Sequence, residues 1–262
     1  LNQIHTVPLT VSFGDEEYID GVTIDHRTFY QKLSETDAMP WTSQASPAAF
    51  AEQYDQPAAA DEEVVVITIS SKLSGTYQSA MIAAAGCSSV YVVDSENASV
   101  GCGILVGLAL RYLRDGMTAS AIAEKLQEDK KKIVVIALLD TLEYLKRGGR
   151  ISKAAAFAGG LLNIKPVISI ADGEIQLLGK ARGSKMGNNL LAQQIQKVGG
   201  IDFTKPVLLG YTGLSDVLLQ KYIEDSSYLW SASLDAVRYV SIGSVIGAHA
   251  GPGAIAVAFF RK

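Results

Sequence analysis

The run Glu63-Val64-Val65-Val66-Ile67-Thr68-Ile69-Ser70 decides the fold. It is apolar and β-branched almost throughout, passes into a Ser/Gly loop, and is followed by a helical pattern from about Gly75 to Ala85. A strand without alternation is covered on both faces, the usual state in a parallel sheet. Ser89–Asp94 repeats the pattern, with a polar loop and a helix over Val100–Arg114. Another helix, Ala119–Lys130, precedes a third apolar strand, Ile133–Leu139. Repeated strand–loop–helix units predict a parallel, right-handed α/β sheet that includes all three strands.

Upstream, Ile4–Phe13 and Tyr18–Val22 flank a Gly14–Glu17 turn and read as a hairpin. Asp25 is placed to cap a short helix over Arg27–Ser34, and Ser46 before Pro47 to cap another that runs to about Tyr54. Between them, 40–47 reads as a loop. The chain starts at Leu1 in what reads as a strand in mid-flow, so an opening strand is expected before it. Downstream, Ile151–Leu161 reads as a helix. Val167–Ala171 and Glu174–Leu178 flank Asp172-Gly173, a two-residue hairpin turn. A helix Ser184–Val198, a strand Val207–Tyr211, a helix Ser215–Glu224 and strands Ala236–Ser241 and Ala254–Phe259 complete the pattern. The reading is an α/β protein of two domains: a parallel-sheet domain over 1–148 and an α/β domain with a mixed or antiparallel sheet over 149–262.

The chain has 262 residues, 48% of them hydrophobic and 19% charged, with a net charge of -4. A core of this size needs no disulfide or metal. The acidic balance argues against nucleic acid as the partner, and no apolar run approaches the roughly 20 residues of a membrane span. Cys87 and Cys102 form no framework and no metal set, which points to a reduced, cytoplasmic setting. Gly-x-Ser-x-Gly and His-Glu-x-x-His signals are missing, and no local constellation demands an enzyme.

Four regions can hold an anion. Ser70–Ser79, between a buried strand and a helix, offers hydroxyls and helix N-terminal N–H groups; simple serine capping is the plainer alternative. Thr42, Ser43 and Ser46 form a second hydroxyl-rich segment before a helix. Arg147-Gly148-Gly149-Arg150 and Lys180–Lys185 are basic clusters, readable as phosphate or carboxylate forks or as a helix end and a solvated face. His249, in Gly247-Ala248-His249-Ala250-Gly251-Pro252-Gly253, is either a satisfied structural group or a ligand donor.

In order along the chain, Thr42–Pro47, Ile69–Ala80, Leu142–Ile151, Leu162–Pro166 and Ile242–Gly253 resemble the signatures of the DegV family of bacterial fatty-acid-binding proteins. The resemblance covers nearly the whole chain. It departs from the family where the opening strand and Asp-Ser-Thr segment would precede Leu1, and at Ala45, where proline is usual. It implies a carrier without catalytic residues of its own and with no cofactor beyond its ligand. That ligand is one long-chain fatty acid in a tunnel, presented to a fatty acid kinase related to dihydroxyacetone kinase for acyl phosphate formation. Carried over by motif, Thr42, Ser74, the backbone at Gly75 and His249 would bind the carboxylate. Arg150 and Arg182 would serve phosphate handling or kinase docking. A phosphotransferase acting on a small acid, or a regulatory interaction protein, are the alternative functions.

Overall fold

The computed structural model describes residues 4–59, 62–151, 163–230 and 237–262. The chain opens with a hairpin of β1 (Thr10–Phe13) and β2 (Glu16–Ile19) turning at Gly14, whose φ of 58° suits glycine. Helix α1 (His26–Glu35) starts where expected, with Asp25 accepting from the Thr28 N–H. Residues Trp41–Ser43 form β3 rather than a loop; they pair antiparallel with β1 and complete a sheet of order β2-β1-β3. The Ser46 hydroxyl caps α2 (Pro47–Ala59), accepting from the Ala49 N–H at 3.1 Å.

The deciding run is β4 (Val64–Thr68). It pairs parallel with β5 (Val90–Asp94), each followed by a helix: α3 (Thr76–Ala83), then α4 (Val100–Arg114) and α5 (Ala119–Asp129). The third apolar strand, β6 (Ile133–Leu138), corrects the expectation. It pairs antiparallel with β7 (Ile164–Ala171) and β11 (Ile255–Phe260), so it belongs to the second sheet, not the parallel one. A two-face-buried strand in the middle of an antiparallel sheet carries the same apolar run as one in a parallel sheet, and the run alone does not separate them.

That second sheet has six strands, in the order β10-β9-β11-β6-β7-β8, completed by β8 (Glu174–Arg182), β9 (Leu208–Tyr211) and β10 (Tyr239–Ser241). It is mixed: β10 runs parallel to β9 and the other pairs are antiparallel. The β7–β8 turn is Asp172-Gly173, with φ of 50° and 80°, the left-handed pair the sequence signalled. The helix expected over Ile151–Leu161 lies outside the described residues but for Ile151, as do Leu162 and the start of the strand expected at Ala236. Helix α6 (Glu143–Arg147) follows β6, α7 (Gly183–Lys197) follows β8, α8 (Val217–Asp225) follows β9, and α9 (Ser244–Ala250) precedes β11.

Alternation along the central strands sorts side chains into two compartments. Ile136, Leu138, Ile255, Val257 and Phe259 face Leu191, Ile195, Leu219, Tyr222 and Trp230 of the α7/α8 side in a filled core. Val135, Ala137, Ala254 and Ala256 face the other way, toward the layer built by α4, α9 and the β4 loop. Three of those four are alanines, so this face leaves space.

Candidate functional site

The space is a cavity of about 390 Å³, within the range of small-molecule sites. Its floor is the small-residue face of the six-stranded sheet. Val135 lies opposite Ile170 and Ala137 opposite Ile168, so the floor runs along β6 and β7 as an apolar channel. One end of the channel lies under the β7–β8 turn. That turn is tied to the β4 loop by the Ser70 hydroxyl, which donates to the Gly173 carbonyl at 2.7 Å. The other end, past Leu139 and Leu145, is polar.

The polar end is a closed ring of contacts between residues far apart in sequence. Thr42 Oγ1 and His249 Nε2 are hydrogen-bonded at 2.8 Å, joining β3 to α9. His249 Nδ1 lies against Gly148, where a Cβ would come within 2.2 Å of it. The Gly148 carbonyl accepts from Arg150 Nη1 at 2.7 Å, and Arg150 Nε donates to the Leu73 carbonyl at 3.0 Å. Beside Leu73, Ser74 Oγ contacts Thr76 Oγ1 at 2.9 Å and accepts from the Thr76 N–H at 3.3 Å. Gly75, at the start of α3, is pressed by Gln44, which returns the ring to the Thr42 segment. Gln44 is fixed in turn by its amide donating to Ser79 Oγ at 2.9 Å.

Among the described residues, the electrostatics are those of a neutral donor site with the Arg150 cation at its rim. Burial first, and the Arg150 guanidinium second, push His249 down to about 4, so the imidazole is neutral at pH 7. A neutral imidazole carries one N–H. Among the described residues Nδ1 is buried with no hydrogen-bond partner, which favours the tautomer with the proton on Nε2, donating to Thr42 Oγ1. The Thr42 hydroxyl then accepts from His249 and keeps its own proton to give. Ser74 Oγ accepts from the Thr76 N–H, and either hydroxyl of the Ser74–Thr76 pair can be the donor to the other. The Thr42 hydroxyl and the Ser74–Thr76 hydroxyl pair therefore lie together at one end of an apolar channel.

Thr42, Ser74, Gly75, His249 and Arg150 converge at this end. Arg182 does not: it closes β8 opposite Ile164, is exposed, and is not in the cavity wall. The reading from sequence missed Gln44 and Gly148. Gln44 stood within a quoted signature, but only the fold reveals that it packs on Gly75. Among the described residues, no group of three or more His, Cys, Asp or Glu is placed to hold a metal ion. Among them, too, no helix is long and apolar enough to cross a membrane.

The site is an apolar channel floored by the sheet, with hydroxyl groups gathered at one end. The chain belongs to the DegV family: the family model described as "Uncharacterised protein, DegV family" matches residues 1–262. A DegV domain-containing protein of Caldanaerobacter subterraneus subsp. tengcongensis is 35% identical over 263 residues, covering 99% of this chain and 92% of that protein. Among solved structures, a fatty-acid-binding DegV family protein of Thermus thermophilus is 33% identical with a TM-score of 0.86, over 98% of this chain and 91% of that one. A stearic-acid-binding protein of Eubacterium ventriosum is 31% identical, also with a TM-score of 0.86, over 98% of this chain and 90% of that one.

Proposed function

We propose that the protein binds one long-chain fatty acid in this cavity, its carboxylate at Thr42, Ser74, the Gly75 N–H and His249 and its chain along the β6–β7 floor. The observation that carries this is the Thr42–His249 pair at the polar end of the 390 Å³ apolar channel. A saturated chain has no polar handle but its head, so affinity must come from burial at about 0.8 kcal/mol per methylene. About fourteen methylenes give on the order of 11 kcal/mol gross, before ordering costs. The carboxylate cannot be buried unpaired; the hydroxyls of Thr42 and Ser74 as donors meet that need.

The carrier does not carry out the next step in this reading. A fatty acid kinase related to dihydroxyacetone kinase phosphorylates the presented carboxylate. Arg150 at the rim of the cavity and Arg182 on the outer strand β8 face the phosphate or the kinase. What supports this half is the resemblance of the sequence signatures, together with the exposure of both guanidinium groups. The binding step is tested by native mass spectrometry of the purified protein and by stearate titration after delipidation. A co-purified mass matching a fatty acid, and saturable one-to-one rebinding, are expected; delipidated protein that does not rebind stearate would overturn the reading.

A further inference from the structure

Helix α9 carries His249 in its last turn and puts Val245, Ile246 and Ala250 into the cavity wall. Its N-cap residue is Gly243, which has no side chain to satisfy the first-turn donors. Those donors are taken by a residue from the far end of the chain. Asp20 Oδ1 accepts from the Ser244 N–H at 3.0 Å and Oδ2 from the Val245 N–H at 3.4 Å. Gly243 is what admits the carboxylate: a Cβ there would stand 3.1 and 3.4 Å from its two oxygens and 3.4 Å from His26 Nε2. Just before the helix, the Tyr30 hydroxyl donates to the Ile242 carbonyl at 2.9 Å.

The body that grips this end also holds the other. Asp20 follows β2 and is anchored by its own N–H donating to the Leu9 carbonyl at 3.0 Å. β2 pairs with β1, β1 pairs with β3, and β3 carries Thr42, which bonds His249. Val245 and Ala248 pack into the same apolar cluster as Val11, Phe29 and Tyr30. One small unit thus clamps α9 at its first turn through Asp20 and at its last through Thr42.

We propose that Asp20 is a positioning residue of the binding site: by capping α9 from the β-hairpin unit it sets where along β3 the helix sits, and so brings His249 onto Thr42. A carboxylate is suited to this, since it fills two N–H groups at once and complements the positive end of the helix. The inference rests on the reading of Thr42 and His249 as the head-group site. The plainer alternative is a cap that stabilises the fold and does nothing for the site.

Wild-type protein, Asp20→Ala, Asp20→Asn and Gly243→Ala are compared by stearate titration and by nitrogen NMR of the His249 imidazole in the ligand-free state. Asp20→Ala is expected to raise the stearate dissociation constant about fivefold, the equivalent of losing a cap worth about 1 kcal/mol, and to move the His249 nitrogen shifts. Asp20→Asn keeps an acceptor and is expected to recover most of both. Gly243→Ala, which displaces the carboxylate by a few tenths of an ångström, is expected to fall between them. A lowered melting temperature alone does not count, because either kind of cap produces it. If the folded variants keep wild-type affinity and wild-type His249 shifts, the proposal is overturned; should Asp20→Ala not fold, Gly243→Ala and Asp20→Asn decide on the same readouts. If the wild-type protein itself does not bind stearate, the head-group reading falls instead, and the His249 shifts still decide whether Asp20 seats the helix.

Discussion

Replacing Gly148 by alanine tests the polar end with a single methyl group. Gly148 has φ −71° and ψ −5°, a conformation alanine adopts without strain, so the effect is steric and not a matter of backbone freedom. The new Cβ would lie 2.2 Å from His249 Nδ1 and 2.7 Å from Cε1, with the Tyr144 carbonyl at 3.1 Å on its other side. Non-bonded heavy atoms settle at about 3.5 Å or beyond, so the imidazole must give way by more than about 1 Å. It cannot retreat in line, because Thr42 Oγ1 stands 2.8 Å from Nε2. The ring therefore swings out and the Thr42–His249 bond is lost. The Thr42 hydroxyl is then no longer held in orientation toward the ligand, and a hydrogen bond to a charged head is worth about 1.5–3 kcal/mol. That corresponds to a stearate affinity lower by about 10- to 150-fold. The assay is calorimetric or fluorescence titration of delipidated protein, with a melting curve to confirm folding. A folded Gly148→Ala protein whose dissociation constant stays within twofold of wild type would refute the coupling between this glycine, His249 and the head-group site.

Other expectations follow from the same geometry. Thr42→Ala and Ser74→Ala should each cost roughly 1–3 kcal/mol of stearate binding, and a double variant of unchanged affinity would sink the carboxylate assignment. Ala256→Phe should fill the channel floor and abolish stearate binding while leaving the Thr42–His249 bond intact; a crystal structure and a titration together decide. His249 is held neutral in the fold at about 4 against 6.5 in the unfolded chain. Its contribution to stability is therefore present above pH 6.5 and lost as pH falls toward 4, at up to about 1.4 kcal/mol per unit. Melting temperatures of wild type and His249→Asn across that window should converge at low pH, and parallel curves would count against it. Arg182→Ala should leave stearate affinity near wild type but slow acyl phosphate formation by a cognate kinase with ATP. Loss of lipid affinity instead would make Arg182 a pocket residue.

Much of the fold was legible because local signals here agree with the tertiary outcome. The Asp25 and Ser46 caps, the Asp172-Gly173 turn and the bounds of α4 all follow from short-range chemistry. The misplacement of β6 has a physical cause: burial on both faces writes the same Val/Ile run in either kind of sheet, and pairing direction leaves no mark on a single strand. Trp41–Ser43 is likewise too short to signal a strand, and becomes one only because β1 offers it a free edge. The site was legible as separate segments, since hydroxyls and helix starts are local features. Its assembly was not. Gln44 on Gly75, Gly148 under His249 and Asp20 on the first turn of α9 are contacts between distant residues, and nothing in their immediate neighbours encodes them.

The stretch from Ala254 into β11 divides its labour residue by residue. Ile255, Val257 and Phe259 belong to the filled compartment with Tyr222 and Trp230, while Ala254 and Ala256 border the channel. A change on one face is thus felt by one compartment only. Shrinking Val257 or Phe259 weakens the foundation and leaves the bore untouched; enlarging Ala254 or Ala256 narrows the bore and leaves the foundation in place. Such a strand lets the calibre of the pocket drift under selection without each step risking collapse of the molecule, so that one scaffold can be re-bored for guests of different girth.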